Sequence, residues 1–215
     1  MKNLLMKETK LTASALSSLF IAFSLMTLIP GYPILVGAFF VCFGVFQTFQ
    51  SAREANDTLY TAMLPVAKSD VVRSKYIFTI FIQFIAFLLM TILTVLRMTL
   101  LSNATPYISN PMMNANLAYL GYVLLVYSIF NIFFLGGFFK TAYKIANPFL
   151  SAAIFVFLMI GIGEILHHIP GLEGLNATGF APIQCIVLAC GIVVYVVATL
   201  LSLRISIQRF QKIDL

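Results

Sequence analysis

The 215-residue chain is 61% hydrophobic and 9% charged, with a mean hydropathy of +1.01 and a formal net charge of +6. Ordinary soluble domains run at about 45–50% apolar and about 25% charged residues, so this chain has too little polar surface to cover a globule in water and belongs in a bilayer. Its cations gather at the ends of apolar runs, where they meet headgroups and set orientation, which argues against nucleic acid as a partner.

Lys2, Lys7 and Lys10 precede an apolar run that continues to Ile29 without a small-residue cleavage signature, the pattern of an uncleaved first span rather than a signal peptide. A bilayer core about 30 Å thick needs about 20 apolar residues in helix, because unsatisfied backbone groups are costly in hydrocarbon. Six segments reach that length or nearly so: residues 11–29, 34–50, 76–96, 117–139, 148–166 and 183–203. Pro30-Gly31-Tyr32-Pro33 joins the first two as a tight turn, making a helical hairpin. Pro148 opens the fifth span just after Lys140 and Lys144 close the fourth. Ser14, Ser18 and Ala22 recur every four residues on the first span, and Gly37 and Gly44 share a face of the second. Small residues let helix backbones approach closely in lipid, in a subunit seam or within one chain. No repeat or low-complexity linker divides residues 1–215, so the chain reads as a single transmembrane domain.

With the N-terminus inside, twelve of the thirteen cations fall on the inner side and Arg97 alone falls outside. That bias predicts an even number of spans with both termini cytoplasmic. The spans themselves are nearly free of ionisable groups. Arg97 and Glu164 lie near outer ends, and Gln83 and Asn131 are uncharged polar side chains deep in spans, where interhelical hydrogen bonding is the simplest role. Ion-coupled carriers place charge near the midplane as their coupling device, so a chain without it must draw energy from elsewhere.

Several chemistries lack support. Cys42, Cys185 and Cys190 sit in apolar stretches without CxxC or nearby His, and read as small buried hydrophobes rather than disulfide or metal ligands. Glu164, His167 and His168 could be drawn as a metal site, but zinc needs a further ligand, and a wet helix end is the simpler reading. No hydrolase or metalloprotease signature is present, and Gly136-Gly-Phe-Phe-Lys140-Thr resembles only the tail of a nucleotide-binding loop. No catalytic or metal residue is expected, and no cofactor bound by this chain.

The densely charged interior stretch is the cytoplasmic loop 51–75. Arg53, Glu54, Asp57, Lys68, Asp70, Arg73 and Lys75 surround the apolar run 59–64 and then Pro65. Read as helix, Asn56, Tyr60 and Met63 share one face and Asp57 stands beside Thr61 on another, with Pro65 ending the element. Ser69 is then expected to cap a second helix with Asp70 in its first turn. Exposed Leu59, Tyr60, Met63 and Leu64 would need lipid or a partner to cover them.

Glu54-x-x-Asp57, Leu64-Pro65-Val66 and Lys68-Ser69-Asp70-Val71-Val72-Arg73-Ser74-Lys75-Tyr76 together resemble the signature of short ABC-2-type permeases. The resemblance implies an all-α membrane protein of the type V exporter kind, with six transmembrane helices and both termini cytoplasmic. In such proteins the loop between the second and third spans is a coupling helix that docks on a separate ATP-binding-cassette ATPase, which holds the ATP and Mg. Two permease chains, identical or sister, complete the exporter. Carried onto this sequence, the docking residues are Glu54, Asp57, Leu59, Tyr60, Leu64 and Pro65, and Lys68, Arg73 and Lys75 anchor the loop to the inner leaflet. Residues 1–10, with Leu4 and Leu5 among lysines, become a short interfacial helix, and the stretch after Glu164 an outer gate. The implied function is export of a hydrophobic or amphipathic cargo, peptide or toxin, across a bacterial cytoplasmic membrane, as in the phenol-soluble modulin type. Two other classes stay open at this point: a non-transporting immunity or scaffold protein, and an ion-coupled carrier, which the absence of midplane charge disfavours.

Overall fold

The computed structural model describes residues 2–8, 19–63 and 65–213, and among them every regular element is helical. In chain order these are α1 (Lys2–Lys7), α2 (Leu19–Leu28), α3 (Val36–Glu54), α4 (Asp57–Ala62), α5 (Lys68–Thr99), the short α6 (Thr105–Ile108), α7 (Leu117–Phe138), α8 (Ala146–Leu166) and α9 (Pro182–Gln211). A 3-10 turn, Glu173–Asn176, lies between the last two.

Four helices, α5, α7, α8 and α9, are long and apolar enough to cross a membrane. Helix α3 has 19 residues, about 28 Å of helix, but Gln47, Gln50, Arg53 and Glu54 dilute its last turns. The first expected span is described only from Leu19, and Ser14 and Ser18 lie outside the described residues. Helix α5 begins eight residues before the expected span and α9 ends eight residues after it. At 32 and 30 residues they are about 48 and 45 Å long, well beyond the hydrocarbon. Ala67 rather than Ser69 stands at the start of α5, without a side-chain cap, and Ser69 lies inside the first turn.

Helix α2 tightens to a 3-10 helix over Ala22–Leu28. Two carbonyls at its end are taken by side chains from elsewhere: Arg97 donates to Thr27 O at 2.8 Å and the Tyr107 hydroxyl to Leu28 O at 3.0 Å. Gly31, at φ 72°, supplies the left-handed turn into α3.

Helix α7 is apolar on every side and occupies the centre, packed on α9, α8, α3 and α5. Gly121 and Gly191 bring α7 and α9 into backbone contact. A Cβ on Gly191 would stand 2.5 Å from Gly121 O, and one on Gly121 2.6 Å from Val187 O. Gly37 and Gly44 receive α2 in the same way, against Phe23 O at 2.8 Å and Phe20 Cβ at 2.5 Å. These small residues therefore serve packing within the chain. Aromatic rings bind α3 to α8, with Phe46 stacked on Phe149 at a centroid distance of 4.0 Å. Outward faces of α8 and α9 present apolar residues such as Ile154, Leu158, Val193 and Leu200. Cys42 is buried, but Cys185 and Cys190 are exposed on α9. The expectation of three thiols buried in protein holds for one, because α9 is covered chiefly along its α7 side.

Candidate functional site

The elbow between α3 and α5 sits at the basic end of the bundle. Helix α3 ends at Glu54, and Asn56, at φ 51°, takes the left-handed conformation that Asn tolerates better than most residues. The chain then re-enters helix as α4. One turn of α4 sets Asp57 and Thr61 on the same side, and Thr61 Oγ1 donates to Asp57 O at 2.7 Å. That side faces the protein.

Four charged side chains meet there. Lys75 Nζ lies 3.2 Å from Glu8 Oε1 and 3.3 Å from Asp57 Oδ2; Lys7 Nζ lies 2.6 Å from Asp57 Oδ1 and 3.5 Å from Glu8 Oε1. Lys7 also donates to Thr61 Oγ1 at 2.6 Å, and Lys75 stands over the Phe49 ring at 5.5 Å. The Lys75 and Glu8 side chains are 2% exposed, Lys7 and Asp57 17%. Two cations thus balance two carboxylates, the condition under which buried charge is tolerated. Burial pushes the Asp57 carboxyl up, but the charges of Lys75 and Lys7 and the hydrogen bonds from them outweigh it, so its pKa stands below the ordinary carboxylate value. The network pins α1 to α4 and to the start of α5.

The opposite side of the elbow is bare. Tyr60 is 65% and Met63 77% exposed, and Pro65 and Glu54 are exposed beside them. Glu54 accepts from Gln50 Nε2 at 3.1 Å, and Arg53 lies over the Tyr143 ring at 5.8 Å.

The residues expected to dock a partner are therefore divided. Glu54, Tyr60 and Pro65 face outward, whereas Asp57 faces inward and is committed to lysines. Leu64 and the Leu59 side chain lie outside the described residues. The three expected anchors also part company. Arg73 is half exposed and pairs loosely with Asp70 at 3.3 Å. Lys68 donates to Ile213 O at 2.6 Å, tying the elbow to the end of α9. Lys75 points into the protein, where two carboxylates hold it, and is not offered to a headgroup. Sequence reading missed Glu8 altogether; the signal was a lone acid within a lysine-rich N-terminal segment.

A second polar constellation runs up the interior. Gln83 and Asn131 exchange amide hydrogen bonds at 2.9 and 3.2 Å, Asn131 Nδ2 donates to Thr199 Oγ1 at 3.0 Å, and the Tyr195 hydroxyl donates to Gln83 Oε1 at 2.9 Å. These bonds join α5, α7 and α9 to one another, the arrangement of interhelical hydrogen bonding. Below this pair α7 loosens into a π-helical turn over Asn131–Leu135. Helix α9 serves the backbone there: Ser202 Oγ donates to Asn131 O at 2.6 Å and Arg209 to Gly136 O at 2.7 Å. The Tyr76 hydroxyl meets Ser202 and Ser206 at 2.7 and 2.8 Å.

At the far end Arg97 is 4% exposed, donating to Thr27 O and Asn114 Oδ1 and covering the Tyr107 ring at 4.2 Å. The stretch after Glu164 forms a cap of turns, held by Gln184 Nε2, which lies within 3.2 Å of the carbonyls of Gly174, Ala177 and Gly179. Glu164 Oε2 accepts from Met113 N at 2.9 Å. Among the described residues no group of three or more His, Cys, Asp or Glu is placed to hold a metal.

A family model described as ABC-2 family transporter protein matches residues 3–211, nearly the whole chain. No curated protein and no solved structure matches. The matched region holds all four long apolar helices and both faces of the elbow. This chain belongs to the ABC-2 transporter family, as a multi-pass, non-catalytic permease subunit of an ABC transporter.

Proposed function

We propose that the chain is the membrane half of an exporter driven by a separate ATP-binding-cassette ATPase, which docks on the outer side of the elbow through Tyr60, Met63, Pro65 and Glu54. The observation that carries this reading is the two-sidedness of α4. Asp57 and Thr61 fasten it to α1 and α5, while Tyr60 and Met63 remain uncovered next to a charged rim. An apolar patch held rigidly within a polar rim is the anatomy of a docking surface. Twelve of thirteen cations support placing this end, and both termini, in the cytoplasm, with six passes in all. A second permease chain completes the pathway, and ATP and Mg bind to the ATPase. Lipid-facing apolar surfaces and the absence of a midplane charge relay suit a hydrophobic or amphipathic cargo, peptide or toxin, in a bacterial cytoplasmic membrane.

Co-purification tests the docking. Truncating a central aromatic anchor costs about 2 kcal/mol or more, roughly thirtyfold in affinity. Tyr60→Ala combined with Met63→Ala should release the cognate ATPase from detergent-purified permease without lowering permease yield. An ATPase retained equally by wild type and double variant would overturn the docking face. Absence of any bound ATPase in the wild type would favour a non-transporting immunity or scaffold role.

A further inference from the structure

Helices α8 and α9 both pack on α7 but not extensively on each other, and the π-helical turn of α7 floors the gap between them. Two cavities lie there. One, of about 460 Å³, is walled by Ile132 and Phe133 of α7 and Leu201 and Ile205 of α9, with Arg209 at its mouth. The other, of about 520 Å³, reaches the α7–α8 connection at Lys140 and Lys144. They share Phe133 and Gly137, so they form one continuous groove, apolar toward the bundle centre and cationic at the basic end.

We propose that this groove binds a phospholipid with a net-negative headgroup, its phosphate held by Arg209, Lys140 and Lys144 and one acyl chain laid along Ile132, Leu201 and Ile205. Charge complementarity selects this occupant. No carboxylate lines either cavity, and none of the three cations forms an ion pair among the described residues. Arg209 spends a donor on Gly136 O at 2.7 Å, which aims the guanidinium at the groove and leaves further N–H groups for phosphate oxygens. Phe133 stacked on Phe155 at 4.3 Å fixes the α8 wall. A second copy of the chain fits poorly: a two-fold contact would set cations against cations. A different patch of the copy would have to be acidic, and Glu54 and Glu173 are the exposed acids among the described residues, near opposite ends of the bundle. The site is independent of the ATPase docking proposed above.

The chain has no tryptophan, so one introduced indole reports its own surroundings. Full-length Ile205→Trp, at a 43% exposed groove position, and Phe84→Trp, at a 60% exposed position on α5, are reconstituted in phosphatidylcholine vesicles doped with brominated phosphatidylglycerol or brominated phosphatidylcholine. Phe84→Trp should be quenched equally by both lipids. Ile205→Trp should be half-quenched at a mole fraction of the anionic lipid at least tenfold lower, a preference falling about fivefold for each neutralised cation. Lys140→Gln with Lys144→Gln tests this without touching the Arg209 bond to the backbone, and Arg209→Lys should retain more of the preference than Arg209→Gln. Equal quenching of Ile205→Trp by both lipids, or a preference unchanged by lysine neutralisation, overturns the proposal. Relief of quenching by millimolar inorganic phosphate would assign the site to a soluble anion instead. Protection from both lipids while Phe84→Trp is quenched would mean that protein covers the groove, and would equally refute it.

Discussion

Lys75→Met is the sharpest perturbation of the elbow. The substitution keeps the length and apolar stem of the side chain, while the ammonium goes, and with it the cation–π contact to the Phe49 ring. Glu8, 2% exposed, is then left with Lys7 Nζ at 3.5 Å, and Asp57 keeps its 2.6 Å pair with the same lysine. Removing one partner from a buried ion pair costs about 3–5 kcal/mol, because the survivor stays desolvated. Lys7 is more exposed and offsets part of this, which places the loss near the lower end, about 3 kcal/mol. The loss falls on the attachment of α1 rather than on the bundle, since these charges join α1 to α4 and α5 beside the buried Leu4. A local opening made about 3 kcal/mol easier is roughly a hundredfold more populated. Hydrogen exchange of residues 2–8 in the reconstituted protein reads that population. The companion variant Glu8→Leu with Lys75→Met removes the whole inner pair and leaves Lys7 with Asp57. Replacing both charges by apolar groups is commonly neutral or better, so the double variant should regain most of the protection. Exchange in Lys75→Met within twofold of wild type, or a double variant worse than either single one, would refute the claim that this network holds α1.

Three further outcomes follow from particular contacts. Asp57 has a folded pKa below its unfolded value, about 3.9, so its contribution is present above that value and lost as pH falls through the lowered one. Protection factors in α1, corrected for intrinsic exchange, should be level from pH 8 to pH 5 and decline only below about pH 4. Gly191→Ala forces a Cβ to within 2.5 Å of Gly121 O and should cost about 1–3 kcal/mol. Gly161→Ala has nothing within 4 Å and should gain up to about 1 kcal/mol from helix propensity, both read from thermal unfolding in detergent. Asn131→Leu strips partners from Gln83 and Thr199 and should cost about 1–2 kcal/mol, with Gln83→Leu adding less than its own separate cost in a double-variant cycle.

Apolar run length made α5, α7, α8 and α9 visible in the sequence, yet α5 and α9 overshot their expected ends by eight residues each. Hydropathy marks where hydrocarbon begins, whereas a helix stops where its backbone hydrogen bonding does; the second helix expected from Ser69 runs on into the span without a break. The division of the elbow was legible only in part: Asp57 and Thr61, four apart, share a side, but Tyr60, three from Asp57, borders that same side by helical spacing, and the docking surface expected from the sequence takes in both Asp57 and Tyr60. The partners of Asp57 were not legible. Glu8 and Lys75 are 67 positions apart, and no local periodicity encodes a pairing at that range. Reading Lys75 as a headgroup anchor followed from treating a cation at a span end as wet; Arg97, placed by the sequence only near an outer end, is likewise 4% exposed and satisfied by Thr27 and Asn114. Both are buried because Glu8, just after α1, and Asp57 of α4 cover one end of α5, and Thr27 of α2 and Asn114 the other, an arrangement set by tertiary packing.

Helix α5 is consequently tied at three levels. Glu8 and Asp57 hold Lys75, Asn131 holds Gln83, and Thr27 with Asn114 holds Arg97, over 22 residues or about 33 Å of uninterrupted helix. A push on α4, under the proposed coupling, therefore acts on an element that cannot bend without breaking its own ladder, and α5 moves as a rod. Helix α7 differs. Its ladder is already displaced over Asn131–Leu135, and Ser202 and Arg209 supply donors to the carbonyls on either side. Deformation costs least where the regular hydrogen bonds are already given up and side chains stand ready to replace them. Relative motion between the α5 rod and the α8–α9 side should thus concentrate at the π-helical turn. It follows that Ser202→Ala, which removes the donor to Asn131 O and one of the two partners of Tyr76, should raise exchange at residues 131–136 while leaving α5 protected. Uniform loss of protection in α5 and α7 would show instead that the bundle yields as a whole.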